Sequence, residues 1–330
     1  MQLGRFPRFP LAHRPTPLEP LARLTAKLGG PRLYIKRDDC TGLAVGGNKT
    51  RKLEFLVADA LAERATTIVT EGGMQSNHVR QTAAAAAKAG LKCELVLDRQ
   101  VPWADPAYDA SGNVLLDSIL GAVLHRCAEG ETRKERANKV MADIAARGEQ
   151  GYFIPTGGSN AIGALGYVCC GLELLDQARG MDLKVDHVVL ASGSGGTQAG
   201  MHVALAGSGS GATCIGIDID HDPPYVRGAV TQIVPETARL LGVSDRVRAD
   251  AMILAEGYGA PAYGMPNDAM IEAIKLMARE EAIILDPVYS GKAFAGLIDM
   301  IGQGRFDKDE TVVFVHTGGS PALFAYSELF

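Results

Sequence analysis

Residues 66–97 read TTIVTEGGMQSNHVRQTAAAAAKAGLKCELVL, and this stretch decides the fold class. A β-branched run from Thr66 to Thr70 meets the turn Gly72-Gly73, and an alanine-rich helical pattern follows over about 79–88. Gly90 stops it, and Lys92 to Leu97 read as a second strand. Strand, helix and strand in that order make a βαβ unit, whose crossover brings the two strands out parallel. Downstream the alternation repeats: a helix near 112–120, a strand near 122–126, a helix near 132–147 and a strand ending at Pro155, a block that reads as a smaller domain. A helix from about 160 then leads to the strand His187 to Ala191, and Cys214 to Ile219 form another. Helices near 229–241, 267–279 and 291–301 precede a last strand, Thr311 to Val315. The expectation is an α/β protein with mostly parallel sheet.

At 330 residues the chain suits one large or two closely packed domains. With 47% hydrophobic and 22% charged residues it has the composition of a globular rather than a disordered protein. A net charge of -5 gives no broad basic field, so a nucleic-acid partner is not expected. The six cysteines are scattered without a CxxC, which suggests neither a zinc site nor a disulfide framework and fits a reducing cytoplasm. Arg and Pro interrupt every apolar stretch near the N-terminus, and no run approaches the ~18 residues of a membrane span. A cytoplasmic, soluble enzyme without a membrane partner is therefore expected.

The clearest helix covers residues 48–64. Leu53, Leu56, Val57, Ala60 and Leu61 recur at helical spacing, with Arg51, Lys52, Glu54 and Asp59 on the other side. Asn48 is the expected N-cap, and Gly46-Gly47 before it let backbone approach a ligand. Lys49 thus stands at the positive end of a helix, which disfavours an ammonium; a desolvated lysine there has a lowered pKa and forms an imine with an aldehyde. Taken alone, the segment reads as a solvated lysine beside Arg51 and Lys52, and the chemistry needs support elsewhere.

Three further loops follow strands, where open parallel sheets build ligand sites. In Gly72-Gly73-Met74-Gln75-Ser76-Asn77-His78, a helix N-terminus either receives an anion and a cofactor oxygen or is simply capped by Ser76 or Asn77. Ser192-Gly193-Ser194-Gly195-Gly196-Thr197 offers backbone NH groups to one phosphate. Asp218, at the end of the next strand, suggests a nicotinamide-dependent dehydrogenase instead, but Gln198 stands where GxGxxG needs its third glycine. Near the C-terminus, Asp286-Pro287-Val288-Tyr289-Ser290-Gly291-Lys292 opens a helix and His316-Thr317-Gly318-Gly319 follows the last strand. Tyr289 offers a phenol and Thr317 a neutral hydroxyl; Lys292 is a second imine candidate, ranked below Lys49.

These four segments, in this order, resemble the family of 1-aminocyclopropane-1-carboxylate (ACC) deaminase, D-cysteine desulfhydrase and L-cysteate sulfo-lyase. The resemblance runs from Arg5-Phe6-Pro7 and Pro15-Thr16-Pro17-Leu18 through Ile35-Lys36-Arg37-Asp38-Asp39 to Pro321-Ala322-Leu323. It implies pyridoxal 5'-phosphate (PLP) as cofactor, bound in the cleft between two open, twisted, mostly parallel α/β domains, and a homodimer. The larger domain would comprise residues 1–50 plus 160–330 and the smaller 51–159. It also implies that Lys49 is the Schiff-base lysine, that Ser76, Asn77 and His78 meet the substrate and the PLP ring oxygen, and that Gly193, Ser194, Gly195, Gly196 and Thr197 form the phosphate cup. Tyr263 and Tyr289 match the active-site tyrosines, and Thr317 the hydroxyl facing the pyridine nitrogen.

Two positions differ from ACC deaminase: Ser290 and Thr317 stand where that enzyme has a glutamate and an apolar residue. A carboxylate at the pyridine nitrogen strengthens the electron sink that ring opening needs, and a hydroxyl does not. The resemblance therefore favours a carbon-sulfur lyase acting on a small amino acid, and the stretches TGLAVGGNKTRKLEF, SGNVLLD, SNAIGALGYV and VYSGK favour L-cysteate, with sulfite released, over D-cysteine, with hydrogen sulfide released. ACC deamination ranks third, ahead of a non-catalytic PLP-binding protein. A sulfonate needs extra donors near the β-carbon, and Arg227, His78 and Tyr289 are the candidates.

Overall fold

The computed structural model describes every residue of the chain except His221. Its strands are β1 (Leu18–Pro20), β2 (Arg32–Lys36), β3 (Thr67–Gly73), β4 (Lys92–Asp98), β5 (Val123–Arg126), β6 (Gly151–Ile154), β7 (His187–Ser192), β8 (Thr213–Asp218), β9 (Ile253–Ala255) and β10 (Thr311–Val315). The helices are α1 (Ala22–Leu28), α2 (Lys49–Ala62), α3 (Asn77–Ala89), α4 (Ala107–Ala110), α5 (Gly112–Ile119), α6 (Arg133–Ala146), α7 (Ala161–Gly180), α8 (Gly196–Ser208), α9 (Pro223–Leu241), α10 (Asp268–Glu281) and α11 (Ser290–Gly302).

Two sheets result. One has four strands in the order β5-β4-β3-β6, all parallel. The other has six, β1-β2-β10-β7-β8-β9, parallel except for the β1–β2 pair. Both are covered on two faces, which is why β3 and β10 are apolar runs rather than alternating patterns. In the smaller sheet, Ile68 and Leu95 pack with Leu53, Val79 and Ala83 of α2 and α3. Val69 and Val96 point the other way, to Ala137, Val140 and Ile144 of α6. In the larger sheet, Ile35, Ile217 and Phe314 meet Met270, Phe294 and Leu297 of α10 and α11, while Val188, Leu190 and Val313 meet Tyr167 and Leu174 of α7 and Met201 of α8.

The amphipathic reading of α2 is corrected. Arg51, Lys52 and Glu54, expected at the surface, are buried, whereas Leu61, expected inside, is exposed. A Cβ on Gly166 of α7 would lie 2.3 Å from the Arg51 carbonyl, so α7 packs backbone to backbone against α2 and removes its polar face from water. Partners from distant segments make this burial tolerable. Arg51 Nε and Nη2 bind Asp38 at 2.7 and 2.9 Å, Nη2 also reaches Glu173 at 2.8 Å, and Glu54 pairs with Arg8. Asn48 is at the N-cap position, but its side chain does not cap: Nδ2 donates to Thr197 Oγ1 at 3.0 Å.

Candidate active site

The turn ahead of Lys49 is held in a form that only glycine adopts without strain. Gly46 and Gly47 have φ of +72° and +126°; a Cβ on the first would lie 2.0 Å from the Asp39 carbonyl oxygen, and on the second 2.7 Å from Gln81 Nε2. Helix α3 clamps this turn from outside. Arg80 Nη2 donates to the Gly46 carbonyl at 2.8 Å, and Gln81 Oε1 accepts from Thr50 N at 2.8 Å. Lys49 consequently emerges at the start of α2 with no carbonyl or carboxylate acceptor for Nζ among the described residues. Burial lowers its pKa from 10.5 to about 8, against a smaller opposing effect of Lys52.

The glycine loop after β7 lies opposite. Gly195 has φ of +80°, and a Cβ there would lie 3.0 Å from the Val230 backbone nitrogen. At Gly196 a Cβ would lie 2.7 Å from Ser159 Oγ and 2.9 Å from Lys52 Nζ. The first turn of α8 is thus an NH-lined cradle with an amine and a hydroxyl at its edge, the donor set that a phosphate requires. Ser194 Oγ and Ser159 Oγ are 2.8 Å apart, and Lys52 Nζ donates to the Gly157 carbonyl at 3.0 Å and Ser159 Oγ at 3.2 Å. Sequence reading missed Lys52 and Ser159. The signal for Lys52 was its position three residues after Lys49, one helical turn on the same face.

Ser76 does cap α3, accepting from Val79 N at 3.3 Å, and it lines the central cavity with its own hydroxyl proton free to donate. Asn77 Oδ1 is buried and has no partner among the described residues. His78 Nε2 lies 2.7 Å from Thr70 Oγ1, whose single proton goes to the Ile154 carbonyl at 2.7 Å. Nε2 therefore carries the imidazole proton. Burial, then the charges of Lys49 and Lys52, drive the ring pKa far below its ordinary value. His78 is neutral, and Nδ1 is a buried acceptor without a partner. The expectation that His78 donates to a sulfonate is thereby corrected.

Tyr263 and Tyr289 hydrogen-bond through their hydroxyls, with ring planes 69° apart. Burial, the largest cause at both, raises both phenols above their ordinary value. Thr317 is buried, and with Lys49, Asn77, Tyr289 and the glycine loop it lines a pocket next to the central cavity.

Three other candidates lie elsewhere. Ser290 faces away: its Oγ donates to Asp286 Oδ1 at 2.6 Å and accepts from Asp286 N at 2.8 Å. Lys292 Nζ is taken up by the carbonyls of Gly259 and Ala262, at 2.7 and 2.8 Å. Arg227 pairs with Glu256 on the surface and lines a different groove. The cation that does line the central cavity, together with Lys49, is Arg133, which sequence reading did not single out.

An amine of depressed pKa facing an NH-lined anion cradle, with a partnerless amide between them, fits a phosphorylated aldehyde. A family model described as "Pyridoxal-phosphate dependent enzyme" matches residues 10–318. The chain belongs to that family. It is 47% identical over 325 residues to a D-cysteine desulfhydrase of Yersinia pestis, covering 98% of this chain and 97% of the relative. With an ACC deaminase of Burkholderia vietnamiensis it shares 44% over 335 residues, 100% and 99% of the two chains. The crystal structure of an ACC deaminase homologue superposes with a TM-score of 0.89 at 36% identity, covering 99% of this chain and 96% of that one. The chain is therefore a PLP-dependent enzyme of the ACC deaminase and D-cysteine desulfhydrase type, with the mixed, mostly parallel α/β architecture expected. Among the described residues no helix is long and apolar enough to cross a membrane.

Proposed function

We propose that the chain is a carbon-sulfur lyase that releases pyruvate and ammonia from a cysteine-type amino acid, with D-cysteine as first substrate and hydrosulfide as leaving group. When bound, PLP supplies the electron sink for the carbanion at Cα. Lys49 holds its aldehyde, the cradle of Gly193 to Thr197 with Lys52 its phosphate, Asn77 its ring oxygen and Thr317 its ring nitrogen. Ser76 and Asn77 orient the substrate carboxylate at the α3 N-terminus. The Lys49 amine and the Tyr289 oxygen are the two groups of the chain that would take the Cα proton, and Tyr263 supports Tyr289 through their shared bond. The same reading carries the two-domain division of the sequence, a homodimer and a cytoplasmic location.

One observation carries the choice of elimination over ring opening. No carboxylate is among the described residues lining the pocket beside Lys49, to which Thr317 contributes a hydroxyl, and Ser290, which does not line it, is sealed against Asp286. The 47% relative supports D-cysteine over the L-cysteate favoured by sequence stretches. L-Cysteate is kept as a second reading because Arg133 lines the cavity. Incubation with D-cysteine, L-cysteate, L-cysteine and ACC in parallel tests the proposal: pyruvate with stoichiometric sulfide from D-cysteine is expected, and 2-oxobutyrate from ACC with no pyruvate from the others overturns it.

A further inference from the structure

Helix α5 buries Asn113, Val114 and Asp117 and leaves Leu115 and Ile119 exposed. Hiding a carboxylate while showing apolar side chains to water is unfavourable on both counts, so Asp117 needs a compensating partner. It is wholly buried, as is Arg80 on the neighbouring helix α3. Burial, the largest influence on each, raises the Asp117 carboxyl and lowers the Arg80 guanidinium, and among the described residues each is the one charge that opposes this at the other. No direct hydrogen bond joins them. Both carboxylate oxygens of Asp117, Nε and Nη1 of Arg80 and Oδ1 of Asn113 are buried without a partner among the described residues. Donors and acceptors gathered in this way where two helices meet are the set that an internal water binds. The third guanidinium nitrogen is committed: Nη2 donates to the Gly46 carbonyl at 2.8 Å, in the turn that leads into Lys49. Helix α5 is in turn fastened beside Ser76, because Asn113 N and Nδ2 donate to Gln75 Oε1 and O at 2.9 and 3.1 Å.

We propose that Arg80 and Asp117 are positioning residues for Lys49, forming a buried, water-bridged ion pair through which α5 fixes the turn Gly46-Gly47. This rests on Lys49 as the amine that binds the cofactor aldehyde. Two glycines in succession have more backbone freedom than any other pair, so the direction in which Lys49 leaves the turn depends on what holds their carbonyls. A guanidinium suits the task because its planar fork bonds the carbonyl through one nitrogen and faces a carboxylate with the others, which the point charge of a lysine does not. Without Asp117 that fork keeps only its bond to Gly46 and is free to turn about it. Neither Arg80 nor Asp117 lines the pocket or the central cavity, so both act on the chemistry through Lys49.

The measurement is the rate at which cofactor-free protein captures the PLP aldehyde, followed by absorbance across pH. Arg80→Met and Asp117→Leu should each lower the plateau rate by about 10- to 100-fold, the cost of a small misplacement of the reacting amine. The pH at which the rate levels off should stay where it is, because neither residue acts on the charge of Lys49. The double variant should be no slower than the slower single one, since the two side chains act as a unit. Asp117→Asn keeps an acceptor for the water but removes the counter-charge, and should fall about three- to tenfold below wild type; being isosteric, it reads the pair even where the other variants fail to fold. A wild-type rate in Asp117→Asn, losses that multiply in the double variant, or a displaced levelling pH with an unchanged plateau overturns the assignment. Capture by Lys49→Ala at the wild-type rate refutes the reading of Lys49 and this pair with it, whereas capture that needs Lys49 but ignores Arg80 and Asp117 refutes the pair alone.

Discussion

Lys49 at the start of α2 and Lys292 near the start of α11 are alike in most respects that electrostatics measures. Each stands in the first turn of a helix, and burial brings each amine to about 8. They differ in acceptors. Lys292 Nζ is fixed by two carbonyls, whereas Lys49 Nζ faces the cavity with none. A depressed pKa makes a lysine deprotonated at mild pH; only the absence of a competing acceptor leaves its lone pair and its motion available. Lys292 spends its donors on the 259–262 loop, which presents Tyr263 to Tyr289, so it is read as a positioning residue.

Exchanging the two lysines' roles is the largest perturbation. Lys49→Ala should abolish covalent cofactor and lower turnover by about 10³-fold or more, read from visible absorbance and pyruvate release. Activity within tenfold of wild type would remove the distinction between the two sites. Lys292→Met should keep the cofactor band but lower kcat by about 10- to 100-fold, because the loop carrying Tyr263 loses its tether and small misplacements of reacting groups are costly. Loss of the band in that variant would mean that Lys292 touches the cofactor. The smallest effect is in pH. Lys49 captures the aldehyde as the uncharged amine, so the capture rate of cofactor-free protein should rise with pH and level off above about 8. A rise continuing toward the ordinary value of 10.5 would show that burial does not act on this amine.

Much of this was legible in sequence because it depends on short-range pattern. The β3–α3–β4 unit, the span Thr311–Val315 and the order of the four loops came from periodicity and glycine punctuation. What escaped depends on partners far along the chain. Arg51 and Glu54 look like surface charges until Asp38, Glu173 and Arg8 are placed beside them. Ser290 looked like a group for the pyridine ring, but the Asp286 turn takes it, and Arg227, named for a sulfonate without any spacing to place it in the cleft, pairs with Glu256 instead. The strands β1 and β9, three residues each, are too short for an alternation signal.

The most direct test of the central claim is chemical. Borohydride reduction of the cofactor-loaded enzyme, followed by proteolysis and mass mapping, should place the pyridoxyl adduct on Lys49 alone. An adduct on Lys292 or Lys52, with Lys49 unmodified, would contradict the account.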